Sequence, residues 1–363
     1  MNYDRIIAYV LNTPWAIRPD ALGAILDVVR FRAAGGKYTD EELVERLEAA
    51  RAQNGERAGG RTRGSVAVVP LYGPIFPKAN LFTELSGATS LSTFAAPLRK
   101  LDADDQISQI VIDVDSPGGS VELVPETAEL IRGLKTPTVA VANTEAASAA
   151  YWLAAQADEL VVTPSGAVGS IGVWAAHEDW SVHDANLGVR NTLISAGQYK
   201  VEGNPFGPLD DEARAAIQAD VDAYYGMFVD AVAEGRRVTS QDVRDGFGQG
   251  RMVLARAAVR MGMADRVATL DQVVADAAAG IRRGRNLLGS RGEPVEPAEW
   301  DVTVDAPTAD AADGPGAAPE TETPAAEWLR LLSRPKVREM FAPSGDDSKV
   351  PALAGGETGK EEQ

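Results

Sequence analysis

The sequence predicts an α/β protein, with a largely parallel sheet, flanking helices, a helical N-terminal extension and a disordered acidic tail. Three observations predict it. Between residues 65 and 285, short apolar runs of strand length alternate with helical segments, the pattern of a parallel sheet with helices packed on it. Before residue 50, apolar residues recur at helical spacing. After about residue 285 the chain turns acidic and proline-rich.

The elements follow in order. Tyr3 to Leu11 is a short apolar-rich run, and Pro14-Trp15 reads as a break. Arg18-Pro19-Asp20 opens a second helix, with Leu22, Ile25, Leu26 and Val29 at helical spacing. Thr39-Asp40-Glu41-Glu42 matches an N-cap with an acidic first turn. This makes residues 1–50 a helical extension. Residues 51–64 are rich in Gly and Arg and nearly free of apolar residues, which predicts a linker.

Strands are expected at Val66–Leu71, Ile107–Val114, Thr138–Ala142 and Leu160–Thr163. Helices are expected at Leu91–Leu101, about Glu122–Leu134, Ser148–Ala157, Leu209–Ala233 and Val253–Met261. Met263 to Val267 reads as a turn into a short edge strand. These elements bound a domain of residues 65–285. The tail, residues 286–363, is expected to be disordered. Its residues 291–363 hold 7 basic and 16 acidic side chains and 9 of the 21 prolines. Within it, Glu327–Phe341 carries Trp328, Leu331 and Leu332 close together, the pattern of a short binding helix or of a transient one.

Composition excludes several functions. With 35 Lys+Arg against 53 Asp+Glu the net charge is −18, so the chain lacks the basic footprint of a nucleic-acid binder. There is no cysteine, hence no disulfide, thiolate nucleophile or Cys-ligated zinc. The two histidines, His177 and His183, limit any imidazole chemistry. No run reaches the roughly 18 apolar residues of a membrane span. Asp4 and Arg5 stand where a signal peptide has its apolar stretch. The chain therefore reads as soluble, without an anchor.

Four segments carry candidate chemistry. Asp115-Ser116-Pro117-Gly118-Gly119 ends a strand in a glycine turn that can expose an N–H to a ligand. Ala146-Ala147-Ser148-Ala149-Ala150 sets a serine among small residues at a helix start. That serine is either an ordinary N-cap or a nucleophile beside free N–H groups. Gly166 to Val173 is Gly-rich and apolar around Ser170, and Gly197 to Pro205 holds Lys200 between glycine turns. A serine nucleophile needs a base. His177, His183 or a lysine held neutral by burial can each serve.

The order DSPGG, SAAYW, GSIGV and GQYK-GNP resembles the signal peptide peptidase A family of Ser-Lys peptidases (serine peptidase family 49) over about residues 65–270. Pro14-Trp15-Ala16-Ile17, Lys200 to Phe206 and the lack of an anchor make it similar to the phage capsid-maturation branch. The spacings agree: Ser148 follows Gly119 by 29 residues, and Ser170 and Lys200 follow Ser148 by 22 and 52. The resemblance implies the fold shared by Clp protease and crotonase. It implies Ser148 as nucleophile, Lys200 as general base and Ser170 as the hydroxyl orienting the lysine amine. The N–H groups of Gly119 and Ala149 would form the oxyanion hole, and Val168, Ile171 and Val173 the apolar surround of the lysine. It further implies no cofactor or metal, a homo-oligomeric ring, scaffold or capsid proteins as substrates, and a place in the host cytoplasm or the procapsid.

Three other readings are carried. One is a bacterial signal peptide peptidase degrading peptide remnants. Another is a crotonase-like acyl-CoA enzyme, and the last is a non-catalytic assembly factor working through its tail. Glu122 and Pro125 depart from the family's small residues. Arg251 to Ala258 replaces a more usual acid-containing stretch.

Overall fold

Valine-rich runs in the middle of the chain pair side by side into one sheet. The computed structural model describes residues 13–23, 26, 61–78 and 88–281. The calls on Tyr3–Leu11, on residues 51–60, and on the tail from 286 with its Trp328–Leu332 patch lie outside the described residues. Among those described, the strands are β1 (Trp15–Ile17), β2 (Arg61–Arg63), β3 (Val66–Tyr72), β4 (Ile75–Phe76), β5 (Thr89–Ser90) and β6 (Gln109–Ser116). They continue as β7 (Gly118–Ser120), β8 (Thr138–Ala147), β9 (Glu159–Val162), β10 (Ala167–Gly169), β11 (Met252–Leu254) and β12 (Arg266–Val267). The helices are α1 (Leu91–Asp102), α2 (Val124–Arg132), α3 (Ala149–Ala154), α4 (Ser181–Asn186), α5 (Asp211–Arg236), α6 (Ser240–Gly246), α7 (Ala255–Arg260) and α8 (Leu270–Ala278).

The larger sheet runs β11-β10-β8-β6-β3-β2, with β9 on β8 and β12 on β9. Its interior pairings are parallel, and only the edge pairs β2–β3 and β10–β11 are antiparallel. Strand β8 changes neighbour along its length. Val139 to Ala142 pair with β9, whereas Glu145 to Ala147 pair with β10. This fork lies at the carboxyl end of the strand, where open parallel sheets hold their ligands.

Both faces of the sheet are covered, which is why its strands read as unbroken apolar runs. Ile110, Ile112, Ala140 and Ala142 face the main core with α1, α2, α3 and α5. Val111, Val139, Val141 and Val161 face a second core closed by Val273 and Ala277 of α8. Each fully buried Ile or Val contributes about 1.5–3 kcal/mol of transfer free energy. Helix α3 is buried on all sides, with Trp152 stacked on Phe228 at 4.7 Å between ring centroids. The Arg236 guanidinium at the end of α5 donates to both Asp265 carboxylate oxygens at 2.9 and 2.7 Å, inside the core.

The structure departs from expectation in three places. Gly118-Gly119-Ser120 is a strand, not a turn. Its backbone pairs with β1 and β4, and that pairing needs no large side chain. Pro14-Trp15 is not a break between helices. Trp15 to Ile17 is the strand β1, and helix resumes at residues 19–23. At the end of the expected linker, Arg61–Arg63 closes a hairpin on β3, with Gly64 at φ 64° in the turn. Among the described residues, no helix is long and apolar enough to cross a membrane.

Candidate active site

Ser148 stands at the end of β8, directly before α3, at φ 55° and ψ −120°. A residue with a Cβ rarely adopts this backbone conformation, and holding it costs about 1–3 kcal/mol. The surroundings enforce it. The Ser148 N–H donates to the Gly169 carbonyl at 2.7 Å, and the Trp152 N–H closes the first helical turn on the Ser148 carbonyl at 2.9 Å. Ala146, Ala147, Ala149 and Ala150 are fully buried around it. The serine is therefore not a capping residue, since its side chain accepts no N–H from the helix. Its hydroxyl instead lies 3.4 Å from the Gly172 carbonyl.

Beside Ser148 runs β7. A Cβ on Gly118 would sit 2.9 Å from the Ser148 Cβ and 2.2 Å from the Ala16 carbonyl oxygen. A Cβ on Gly119 would sit 1.9 Å from the Ile75 carbonyl oxygen. Only glycine fits either position. Ala149, first in α3, has one of the N–H groups that no carbonyl of its own helix can accept. The fold thus brings Gly118, Gly119, Ser148 and Ala149 together.

Ser170 follows β10 at φ 54°, its N–H donating to the Arg251 carbonyl at 3.0 Å. Through Gly169 it is one residue from the carbonyl that holds Ser148. Arg251 leads into β11, so the stretch that departs from the family pattern supplies the outer strand supporting Ser170.

Lys200 is not brought to Ser148 within one chain. It lies in an exposed segment spanning residues 185–200. Val168 and Ile171, the expected surround of its amine, are buried in the main core, with Val173 packed against it. His177 contacts the Asn204 carbonyl through Nε2 at 3.1 Å. His183 pairs with Asp184 and meets Trp180 edge-on.

Reading the sequence did not single out Trp174 or Arg18. The Trp174 and Trp15 backbones exchange hydrogen bonds of 2.8 and 3.0 Å, and the Trp174 indole donates to the Ile17 carbonyl at 3.0 Å. The Arg18 guanidinium donates to Glu145 of β8 and to Asp20, each at 2.6 Å. Pro14 to Ile17 had drawn notice as a motif, but nothing in it signals a partner so distant in sequence.

Comparison with known proteins agrees with this geometry. The Peptidase family S49 model matches residues 132–282, and the Clp protease model matches residues 78–165. Both matches include Ser148. The chain is 29% identical to capsid assembly protease C of Escherichia phage lambda, over 88% of this chain and 75% of that protein. It is 34% identical to the head-tail preconnector protein GP5 of Enterobacteria phage P21, over 64% of this chain and 49% of that one. Protease 4 of Haemophilus influenzae is 26% identical over half of this chain, which spans 30% of that protein's length. The strained serine on a forked parallel sheet and the viral and bacterial relatives agree, and the chain belongs to peptidase family S49, serine-type peptidases, here on a Clp protease-like fold.

Proposed function

We propose that this chain is a serine endopeptidase that cleaves scaffold and capsid proteins during phage head maturation, in the host cytoplasm or within the procapsid. The observation that carries the proposal is Ser148 held at φ 55° beside the two glycines of β7. In this reading the Ser148 Oγ attacks the scissile carbonyl carbon. The Gly119 and Ala149 N–H groups stabilise the oxyanion. The Lys200 amine, oriented by the Ser170 hydroxyl, takes the serine proton and passes it to the leaving amine. Water then hydrolyses the acyl-enzyme. The lambda relative, a capsid assembly protease, supports the choice of substrates.

Lys200 is exposed and needs an apolar surround to act as a base near neutral pH. Exposed Val182, Leu187, Val189, Leu193 and Ile194 lie on the segment leading to it. We read this segment as seated against the next subunit of a ring, where its lysine serves the neighbour's Ser148. Mixing Ser148→Ala with Lys200→Ala subunits tests both points. The mixture should cleave capsid protein although neither variant does alone. If the mixture stays inert while wild type is active, a shared site is wrong. If Ser148→Ala alone keeps full activity, the nucleophile is wrong.

A further inference from the structure

Strand β1 is the most unusual neighbour of the candidate site. It runs antiparallel to β7 with Ala16 opposite Gly119. Arg18 N–H donates to the Pro117 carbonyl at 3.0 Å, and Val121 N–H to the Pro14 carbonyl at 3.5 Å. Hydrogen-bonded pairs alternate along an antiparallel ladder, so these two bonds make Ala16–Gly119 a hydrogen-bonded pair. The other edge of β1 agrees, because the Trp15 N–H and C=O are both taken by Trp174. The Gly119 N–H therefore points at the Ala16 carbonyl. That oxygen and the Ser148 Cβ both lie within 3 Å of the space beside Gly118.

A peptide bound for cleavage needs such an arrangement: extended backbone, pairing along both edges, and one carbonyl presented to an oxyanion donor next to the nucleophile. Here it is filled from within. Ala16 is fully buried and its side chain joins the main core. Trp15 and Ile17 turn to the opposite face, into a small core with Leu22 and Phe76. Arg18 then pins the segment to Glu145, three residues before Ser148. Ser148 is left 1% exposed, too enclosed to meet a peptide from outside.

We propose that residues 15–17 occupy the peptide-binding groove as an internal pseudo-substrate, with Ala16 in the position of the residue that precedes the cut bond. External substrates, extended chains with a small residue at that position, bind only when β1 leaves. Anchors on both sides of Ala16 favour retention of the strand over its release. This inference rests on the proposed role of Ser148 and Gly119.

The test separates binding from chemistry. A fluorescein-labelled synthetic peptide with the sequence of residues 13–19 is titrated into full-length Ser148→Ala protein, followed by anisotropy. The same is done with Ala16→Glu and Arg18→Ala added in turn. Ala16→Glu puts an unpaired charge where there is no room and should expel β1, lowering the peptide Kd at least tenfold. Arg18→Ala removes only a half-exposed ion pair and should lower it a few-fold, so it carries the test if Ala16→Glu does not fold. Equal or weaker binding by the folded variants overturns the proposal, since β1 is then a wall of the site. In parallel, fluorophosphonate labelling is timed in chains that keep Ser148. Tighter peptide binding without labelling in any variant refutes the nucleophile and leaves the pseudo-substrate standing. Labelling of Ser148 with unchanged binding does the reverse.

Discussion

The Ser148 N–H donates to the Gly169 carbonyl at 2.7 Å, so the end of β8 is fastened to the end of β10 at the residue where the backbone is most strained. The bond uses a main-chain group of the serine and leaves its hydroxyl out of the support. A side chain can therefore change here without loosening the frame. Ser148→Ala should melt within about 0.5 kcal/mol of wild type and lose peptide-bond cleavage.

Replacement by glycine separates strain from chemistry. Ser148→Gly should relieve the left-handed strain and give back part of it as chain entropy, for a net gain of about 1 kcal/mol over Ser148→Ala. Thermal melts should show this as about 2–4 °C. A glycine variant less stable than the alanine variant would show that the φ of 55° is not a cost.

Gly119→Ala meets backbone, not a side-chain tip. The new methyl would lie 1.9 Å from the Ile75 carbonyl oxygen, and the β4–β7 pairing must give way. The expected loss is about 1–3 kcal/mol by overpacking, with loss of cleavage, read by urea unfolding and a peptide assay.

The buried Arg236–Asp265 pair should behave differently from surface ion pairs. Arg236→Ala leaves a carboxylate that still accepts from the Leu160 N–H at 2.6 Å but has lost its counter-charge inside the core. The cost should be about 3–5 kcal/mol. In Arg236→Met/Asp265→Leu much of that loss should return. Urea midpoints of the three proteins check both statements.

Acid sensitivity has a specific source at Asp102. Its carboxylate accepts from the Thr136 and Lys135 N–H groups at 2.8 Å each, and the Thr136 bond foremost holds its pKa below the ordinary value. The folded pKa lies below the unfolded one. The stabilisation is thus full above about pH 4 and is lost as pH falls through the folded value. Asp102→Asn should flatten part of the acid limb in a series of melts from pH 2.5 to 6. An unchanged limb would remove Asp102 from the account.

The parallel sheet was legible because its strands are buried on both faces. Val66 to Leu71 and Ile107 to Val114 stand out as continuous apolar runs, and β3 and β6 fall there with ends shifted by one or two residues. Strands β1 and β7 were not legible as strands. Gly118-Gly119-Ser120 has no strand-forming side chains, and Trp15-Ala16-Ile17 is too short to show a period. Both exist through backbone pairing with partners distant in sequence. Ser148 was visible as a serine among alanines, but its φ depends on Gly169 and β7. The position of Lys200 depends on an exposed segment that no apolar periodicity marks.

Ser170 is held by the carbonyl of Arg251, 81 residues further along the chain. On the ribosome this gives the enzyme a clock. When Ser148 has emerged, the strand that steadies Ser170 has not yet been made, and β8 still lacks the neighbours at its fork. A nascent chain is therefore harmless to proteins being synthesised beside it, and competence arrives as one late event. Ribosome-bound chains ending near residue 246 should take up no fluorophosphonate, whereas chains carrying residues to 281 beyond the exit tunnel should.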